Sequence, residues 1–296
     1  MYTAVILLVI LLAVFVYLQS SGYNIVEYSL DSDKDIKPFK FVMLSDLHDT
    51  DVTHDKNRRL MESIKSIDPD FVILAGDMIT SYLNRGRSSD NTSEFLRQLA
   101  ASFKVYYGLG NHEQRYMEEP DRFPHRFEDL SEFVQGLGIE LLSDGYTDRD
   151  GNIRIYGLNI PLENYRRGVT PPLKDGKIEE VFGSCDKNKY NILIAHSPDH
   201  FDEYAAWGPD LVLSGHLHGG IIAIPGIGGL ISPQLKPFPK YDFGKYTKSD
   251  TVMIVSRGIG WHSIPIRIFN KAEIVSVTVG TGNKQTDQGE YNGDQR

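Results

Sequence analysis

The chain has 296 residues, 41% hydrophobic and 24% charged, with 31 basic against 40 acidic residues and a formal net charge of −9. That composition supplies a sizeable core, and its acidic balance argues against a broad duplex nucleic-acid surface, which needs clustered Lys and Arg. Cys185 is the single cysteine, so an intrachain disulfide and a thiolate pair for a metal are both excluded.

Tyr2 to Leu18 is an apolar run with no charged residue. As a helix it would rise roughly 25 Å, near the short limit for crossing a bilayer, and Tyr2 and Tyr17 sit where interfacial aromatics are expected. No Lys or Arg precedes the run, Leu18–Gly22 is a poor cleavage site, and no Cys follows to accept a lipid. Residues 1–20 therefore read as an uncleaved transmembrane anchor. The nearest basic residues, Lys34, Lys37 and Lys40, are too few to fix the side of the membrane.

Residues 21–38 read as a polar linker. From 39 to 280, short runs rich in Val, Ile, Phe and Tyr predict strands at Lys40–Leu44, Phe71–Ala75, Val105–Tyr107, Ile153–Leu158, Ile192–Ala195, Leu211–Leu213, Val252–Val255 and Ile274–Val279. Helical patterns fall at Lys56–Ile67, Ser93–Ala101 and Phe127–Leu137. Apolar strands linked by helices indicate an α/β layered domain. Residues 281–296, rich in Gly, Asn, Gln and Asp, read as a disordered tail.

Polar residues collect where these strands end. Lys40–Leu44 runs into Asp46 and His48, Phe71–Ala75 into Gly76-Asp77, and Val105–Tyr107 into Gly110-Asn111-His112-Glu113. Ile192–Ala195 ends in His196, and Leu211–Leu213 in Gly215-His216-Leu217-His218. That edge of an open α/β sheet is where ligands bind. Residues two apart on an extended strand end point the same way, so Asp46 and His48 can face one ion. A nitrogen and oxygen set without thiolate suits Mn, Fe, Zn or Ni. Two such ions clamp a phosphoryl group and activate a water, which keeps a small phosphate ester open to an acidic protein.

The blocks Asp46-Leu47-His48, Gly76-Asp77, Gly110-Asn111-His112-Glu113, His196 and Gly215-His216-Leu217-His218 stand in the order that the calcineurin-like metallophosphoesterase superfamily shows, and the chain resembles that superfamily from Phe39 to Gly280. The resemblance implies a four-layer α-β-β-α sandwich with two divalent or trivalent cations. It implies Asp46, His48 and His218 as ligands of the first, Asp77 as the bridge, and Asn111, His196 and His216 as ligands of the second. His112 is implied as a non-ligand that hydrogen-bonds the phosphate and assists the leaving oxygen. A narrower likeness, through Gly219-Gly220, 231–242, Ser256–Gly260 and 265–270, is to single-anchor bacterial phosphoesterases described as acting on phosphodiesters or phospholipid-like substrates. Ile221, where that branch has Gln, and Lys271-Ala272-Glu273, where it often has Pro-Pro-Glu, depart from its pattern, and its twin-Arg signal is absent.

Among other candidates, Glu113 and His200 read as partners that orient ligand imidazoles. Arg115 and Arg257 read as solvated side chains within reach of a phosphate role, and His54 and His125 as surface residues. His262 is a candidate for lining the cleft, and Leu230–Tyr241 for a lipid-touching rim. The Gly-rich run at 225–229 lacks the helix a phosphate cradle needs. The expectation is a monomeric, membrane-tethered phosphoesterase acting on a phosphodiester, phospholipid or nucleotide-linked lipid. The alternative is a membrane-anchored binding module on the same scaffold.

Overall fold

Strands buried on both faces are apolar at every position, not at alternate ones, and this is how the central runs of the chain behave. In the computed structural model, residues 2–81, 89–166, 168, 170–220, 223–224, 228–229, 237–261 and 266–281 are described. The elements begin with α1 (Tyr2–Ser20), β1 (Tyr23–Ser32), β2 (Phe39–Leu44), α2 (Arg58–Ile67), β3 (Phe71–Ala75), α3 (Ser89–Ser102) and β4 (Val105–Gly108). They continue with α4 (Asn111–Glu118), α5 (Arg126–Gly136), β5 (Glu140–Leu142), β6 (Gly145–Arg149), β7 (Ile153–Leu158), α6 (Lys177–Phe182) and β8 (Tyr190–Ala195). The last are α7 (Phe201–Trp207), β9 (Leu211–Ser214), the short β10 (Ala223–Ile224) and β11 (Gly228–Gly229), β12 (Gly244–Lys248), β13 (Thr251–Val255) and β14 (Ala272–Thr281).

Two six-stranded sheets result, ordered β1-β14-β2-β3-β4-β5 and β12-β13-β9-β8-β7-β6. Within the first, β2 through β5 are mutually parallel; within the second, β7, β8, β9 and β13 are. Phe41, Met43, Phe71, Ile73, Val275 and Val277 of the first sheet pack against Ile155, Ile192, Ile194, Leu211, Leu213 and Ile254 of the second. The neighbouring positions Val42, Leu44, Val72 and Leu74 turn outward onto Leu60 and Ile64 of α2 and Phe95 and Leu99 of α3. On the far side Tyr156, Leu193, Val212 and Met253 meet Ile178 of α6 and Phe201, Tyr204 and Trp207 of α7. The layers therefore run helices, sheet, sheet, helices.

Residues 21–38 differ from the expected linker. Val26, Tyr28, Leu30 and Ser32 are the more buried side of β1, alternating with exposed Glu27, Ser29 and Asp31, and β1 pairs in parallel with β14 along its whole length. The period-2 signal was present but lay too close to the apolar run and to charged neighbours to stand out. The other unanticipated strands are β5, β6, β10, β11 and β12; of these, β6 and β12 are edge strands with solvent-facing polar residues. The expected tail, beyond Thr281, lies outside the described residues, as do 262–265, 225–227 and 230–236.

Among the described residues no helix is long and apolar enough to cross a membrane.

The inter-sheet layer should dominate stability. Phe41 is fully buried and stacks on Phe71 at a centroid distance of 5.3 Å. Phe41→Ala is expected to cost about 3–5 kcal/mol, read as a lowered urea midpoint at unchanged slope.

Candidate metal centre

The parallel strands of both sheets end at one place, and main-chain bonds pin those ends together. Asp46 N donates to Gly76 O (3.0 Å), His48 N to Asp77 O (3.1 Å) and Gly215 N to His196 O (3.0 Å). Two bonds cross between the sheets: His196 Nδ1 to Ala75 O at 2.7 Å, and His216 N to the two Asp46 carboxylate oxygens, each at 3.1 Å. At Gly76 (φ +87°) a Cβ would lie 2.6 Å from both Gly110 N and His196 Nδ1, so only glycine permits this approach.

The reason offered above for Asp46 and His48 facing together does not hold. Both lie in the left-handed region (φ 56° and 50°), as do Asp49, Asp77, His216 and His218 (φ 55°, 54°, 69° and 51°). Asp and His tolerate that region better than most side chains, at a cost of order 1 kcal/mol each. The turn of the chain, not the pleat of a strand, brings these side chains to one point.

All eight anticipated site residues are buried, and seven of them, all but Asn111, have donor atoms brought together. Three sets have their donor atoms mutually within 4.8 Å: Asp46, His48 and His218; His48, Asp77 and His112; and Asp77, His196 and His216. His48 Nε2 and His218 Nε2 stand 3.0 Å apart, with Asp46 Oδ1 3.3 Å from the latter. His196 Nε2 is 3.2 Å from Asp77 Oδ2. Since Ala75 O can only accept, His196 Nδ1 carries a ring proton, and Nε2 faces a carboxylate oxygen. That contact requires a proton on Nε2 or a cation between the two atoms. Asn111 Oδ1 adds a buried oxygen with no hydrogen-bond donor. The residues thus fit a cation pair bound by nitrogen and oxygen.

The electrostatics agree. Burial pushes the Asp46 carboxyl up to about 6, partly offset by His196. Burial alone would lower His196, but Asp77 and Asp46 outweigh it and hold the imidazole at about 10. Burial likewise opposes ionisation of Asp77, yet His196 and His112 hold its carboxyl well below the usual range. The protein groups leave a site that stabilises added positive charge.

His112 is held by a residue that the sequence did not mark. Ser81 N donates to His112 Nδ1 at 2.8 Å, with Ser81 Oγ at 2.9 Å. A main-chain N–H can only donate, so neutral His112 carries its proton on Nε2, which lies 3.9 Å from Asp77 Oδ2. Arg115 Nη1 reaches the same Ser81 hydroxyl at 3.3 Å. Tyr165 was also not anticipated; its ring meets His216 edge-on at 4.7 Å. Nothing in the local sequence distinguishes either residue.

Glu113 acts on backbone, not on imidazoles as expected. Its carboxylate accepts from Asp77 N and Gly110 N (both 2.9 Å), Ile79 N (3.2 Å) and Tyr107 Oη (2.7 Å). Burial and Asp77 push its carboxyl up to about 7, against the pull of those donors. His200, 1% exposed, has Nδ1 4.0 Å from the Glu203 carboxylate. Arg257 is not a solvated side chain: it lies over the Phe243 ring at 3.8 Å and 3.5 Å from Glu273. His54 and His125 are exposed, as anticipated, while Ile221 and His262 lie outside the described residues. Cys185 is free and buried, its Sγ 3.3 Å from Gly208 O.

Residues 39–220 match the calcineurin-like phosphoesterase family, and the chain belongs to it. That membership supports a metal-dependent hydrolase. A metallophosphoesterase of Aquifex aeolicus is 26% identical over 93% of this chain and 98% of its own length. A Danio rerio transmembrane protein with a metallophosphoesterase domain is 28% identical over 81% of this chain, which spans only 53% of that relative. Among solved structures, Haemophilus influenzae NAD nucleotidase aligns over 76% of this chain and 46% of its own, with 15% identity and a TM-score of 0.41.

Glu113→Gln replaces an all-acceptor group with one that confronts at least one N–H with its own amide. It is expected to cost about 1–3 kcal/mol by urea denaturation of metal-free protein, with the site loops loosened.

Proposed function

We propose that the chain hydrolyses a phosphodiester or lipid-linked phosphate ester at a membrane surface. The ligand set is read as Asp46, His48 and His218 for one cation, Asp77 between the two, and Asn111, His196 and His216 for the other. The observation that carries it is the facing of His196 Nε2 and Asp77 Oδ2 at 3.2 Å. A bound pair supplies Lewis acidity toward a phosphoryl oxygen and a water-derived nucleophile. The chain's own groups do the rest. His112 offers Nε2–H to the departing oxygen, its tautomer set by Ser81. Asn111 and His112 open α4, whose N-terminal N–H groups add partial positive charge toward an anionic substrate. The metals suited to these donors are Mn, Fe, Zn or Ni.

The membrane part rests on α1. With all 19 residues counted it rises roughly 28 Å, carries no charge, and leaves Val5 through Leu12 with half or more of each side chain exposed. Such a surface has no stable place in water.

Hydrolysis of bis(p-nitrophenyl) phosphate should require Mn²⁺ and stop with chelator. Asp77→Asn is expected to lower kcat/KM by about 10²–10³-fold or more, and His112→Ala by about 10²–10⁴-fold. Absence of metal-dependent turnover on any phosphate ester would instead support a binding module. Full activity in the Asp77 variant would contradict the ligand reading.

Cell fractionation tests the anchor separately. The protein should remain with membranes through an alkaline carbonate wash and leave them in detergent; release by carbonate alone would rule out a spanning helix.

A further inference from the structure

Ile266 to Asn270 forms a strap with contacts on two sides. Arg267 is 5% exposed, and among the described residues its guanidinium bonds only main-chain carbonyls. Nη1 donates to Arg257 O (2.9 Å) and Asn270 O (3.3 Å), and Nη2 to Gly258 O (3.2 Å) and Gly260 O. Burying a guanidinium is costly. An aliphatic chain would fill the volume without that cost, so what Arg267 adds is a planar fork that fixes four carbonyls at once.

Three of those carbonyls, of Arg257, Gly258 and Gly260, belong to a loop that lies on the first ligand set. Ile259 N donates to Ser45 O (3.0 Å) and Gly260 N to Asp46 O (2.9 Å). A Cβ on Gly258 would sit 2.8 Å from Asp46 Cβ and 3.3 Å from His218 Nδ1. Asn270 completes the grip: its Nδ2 donates to His218 O and Gly220 O, both at 2.5 Å. Asp46 and His218 each hold a left-handed backbone, a conformation that persists only where the surroundings over-determine it.

The other side of the strap carries α1. Ser20 Oγ accepts from Arg267 N (2.9 Å) and donates to Arg267 O (3.2 Å), and Phe269 N donates to Gln19 Oε1 (3.2 Å). Phe15 meets Phe269 edge-on at 5.7 Å.

We propose that Arg267 and Asn270 are positioning residues of the Asp46–His48–His218 cation site, set on a strap that also fixes this half of the centre to the end of α1. The inference rests on the two-cation reading above. Its specific content is asymmetry: the Asp77–Asn111–His196–His216 half receives no bond from the strap among the described residues.

The test uses the full-length chain as wild type, Arg267→Lys, which keeps the charge but not the fork, and Asn270→Ser. Each is titrated with Mn²⁺ by calorimetry and followed by electron paramagnetic resonance. Wild type should bind two ions with an exchange-coupled signal. Each variant should lose about 10–100-fold in affinity for one ion, the scale for groups that hold ligands, and change little for the other. The coupled signal should give way to that of an isolated ion at one equivalent. Circular dichroism checks folding, and the remaining variant carries the test should one fail to fold. Equal loss at both ions, or unchanged binding in a folded variant, would overturn the brace. A wild type that binds fewer than two ions would overturn the two-cation reading and the brace with it.

Discussion

The facing of His196 Nε2 and Asp77 Oδ2 at 3.2 Å is the contact on which the rest of the site depends. One comes from the end of β8 in the second sheet, the other from the end of β3 in the first. Neither side chain can relax away. His196 is tethered by its other nitrogen to Ala75 O, and Asp77 Oδ1 accepts from His112 N at 2.7 Å. The contact is favourable only with positive charge between the two atoms, as a proton on Nε2 or a bound cation. A cation here would also bond the two sheets to each other, so metal binding and sheet packing reinforce one another.

Holding that arrangement takes backbone that the chain does not adopt willingly. Six ligand-bearing or adjacent residues have positive φ without being glycine. Their support comes from main-chain bonds between neighbouring strand ends, from the Glu113 carboxylate beneath Asp77 and Gly110, and from the loop at 257–260 above Asp46. The strain sits where the chemistry is, and a large inter-sheet core offsets it.

The site was legible in the sequence because metal chemistry demands particular residue types, and those types fell after apolar runs whose length and composition mark strands. Seven of the eight residues named from sequence have donor atoms that converge. What was not legible depends on the path of the backbone. Asp46 and His48 face one point through left-handed turns, where parity along a strand was the expected cause. Glu113 serves amides, which no pattern announces. Ser81 matters through its main-chain N–H, a group every residue but proline possesses. β1 was hidden because its alternation is that of a half-exposed strand with acids on the outer face.

Exposure within the centre gives it a direction. Asp46, His48 and His196 are wholly buried, whereas His216 and His218 keep 8% and 7%. The second sheet's last ligands are thus the least buried of the centre. The loop that follows them, through Gly219 and Gly220, is held by Asn270, and Ala223 N donates to Ile268 O at 3.1 Å. The open side of the centre therefore adjoins the strap on which α1 ends. The strap that braces the first ligand set thus also borders the less buried side of the centre.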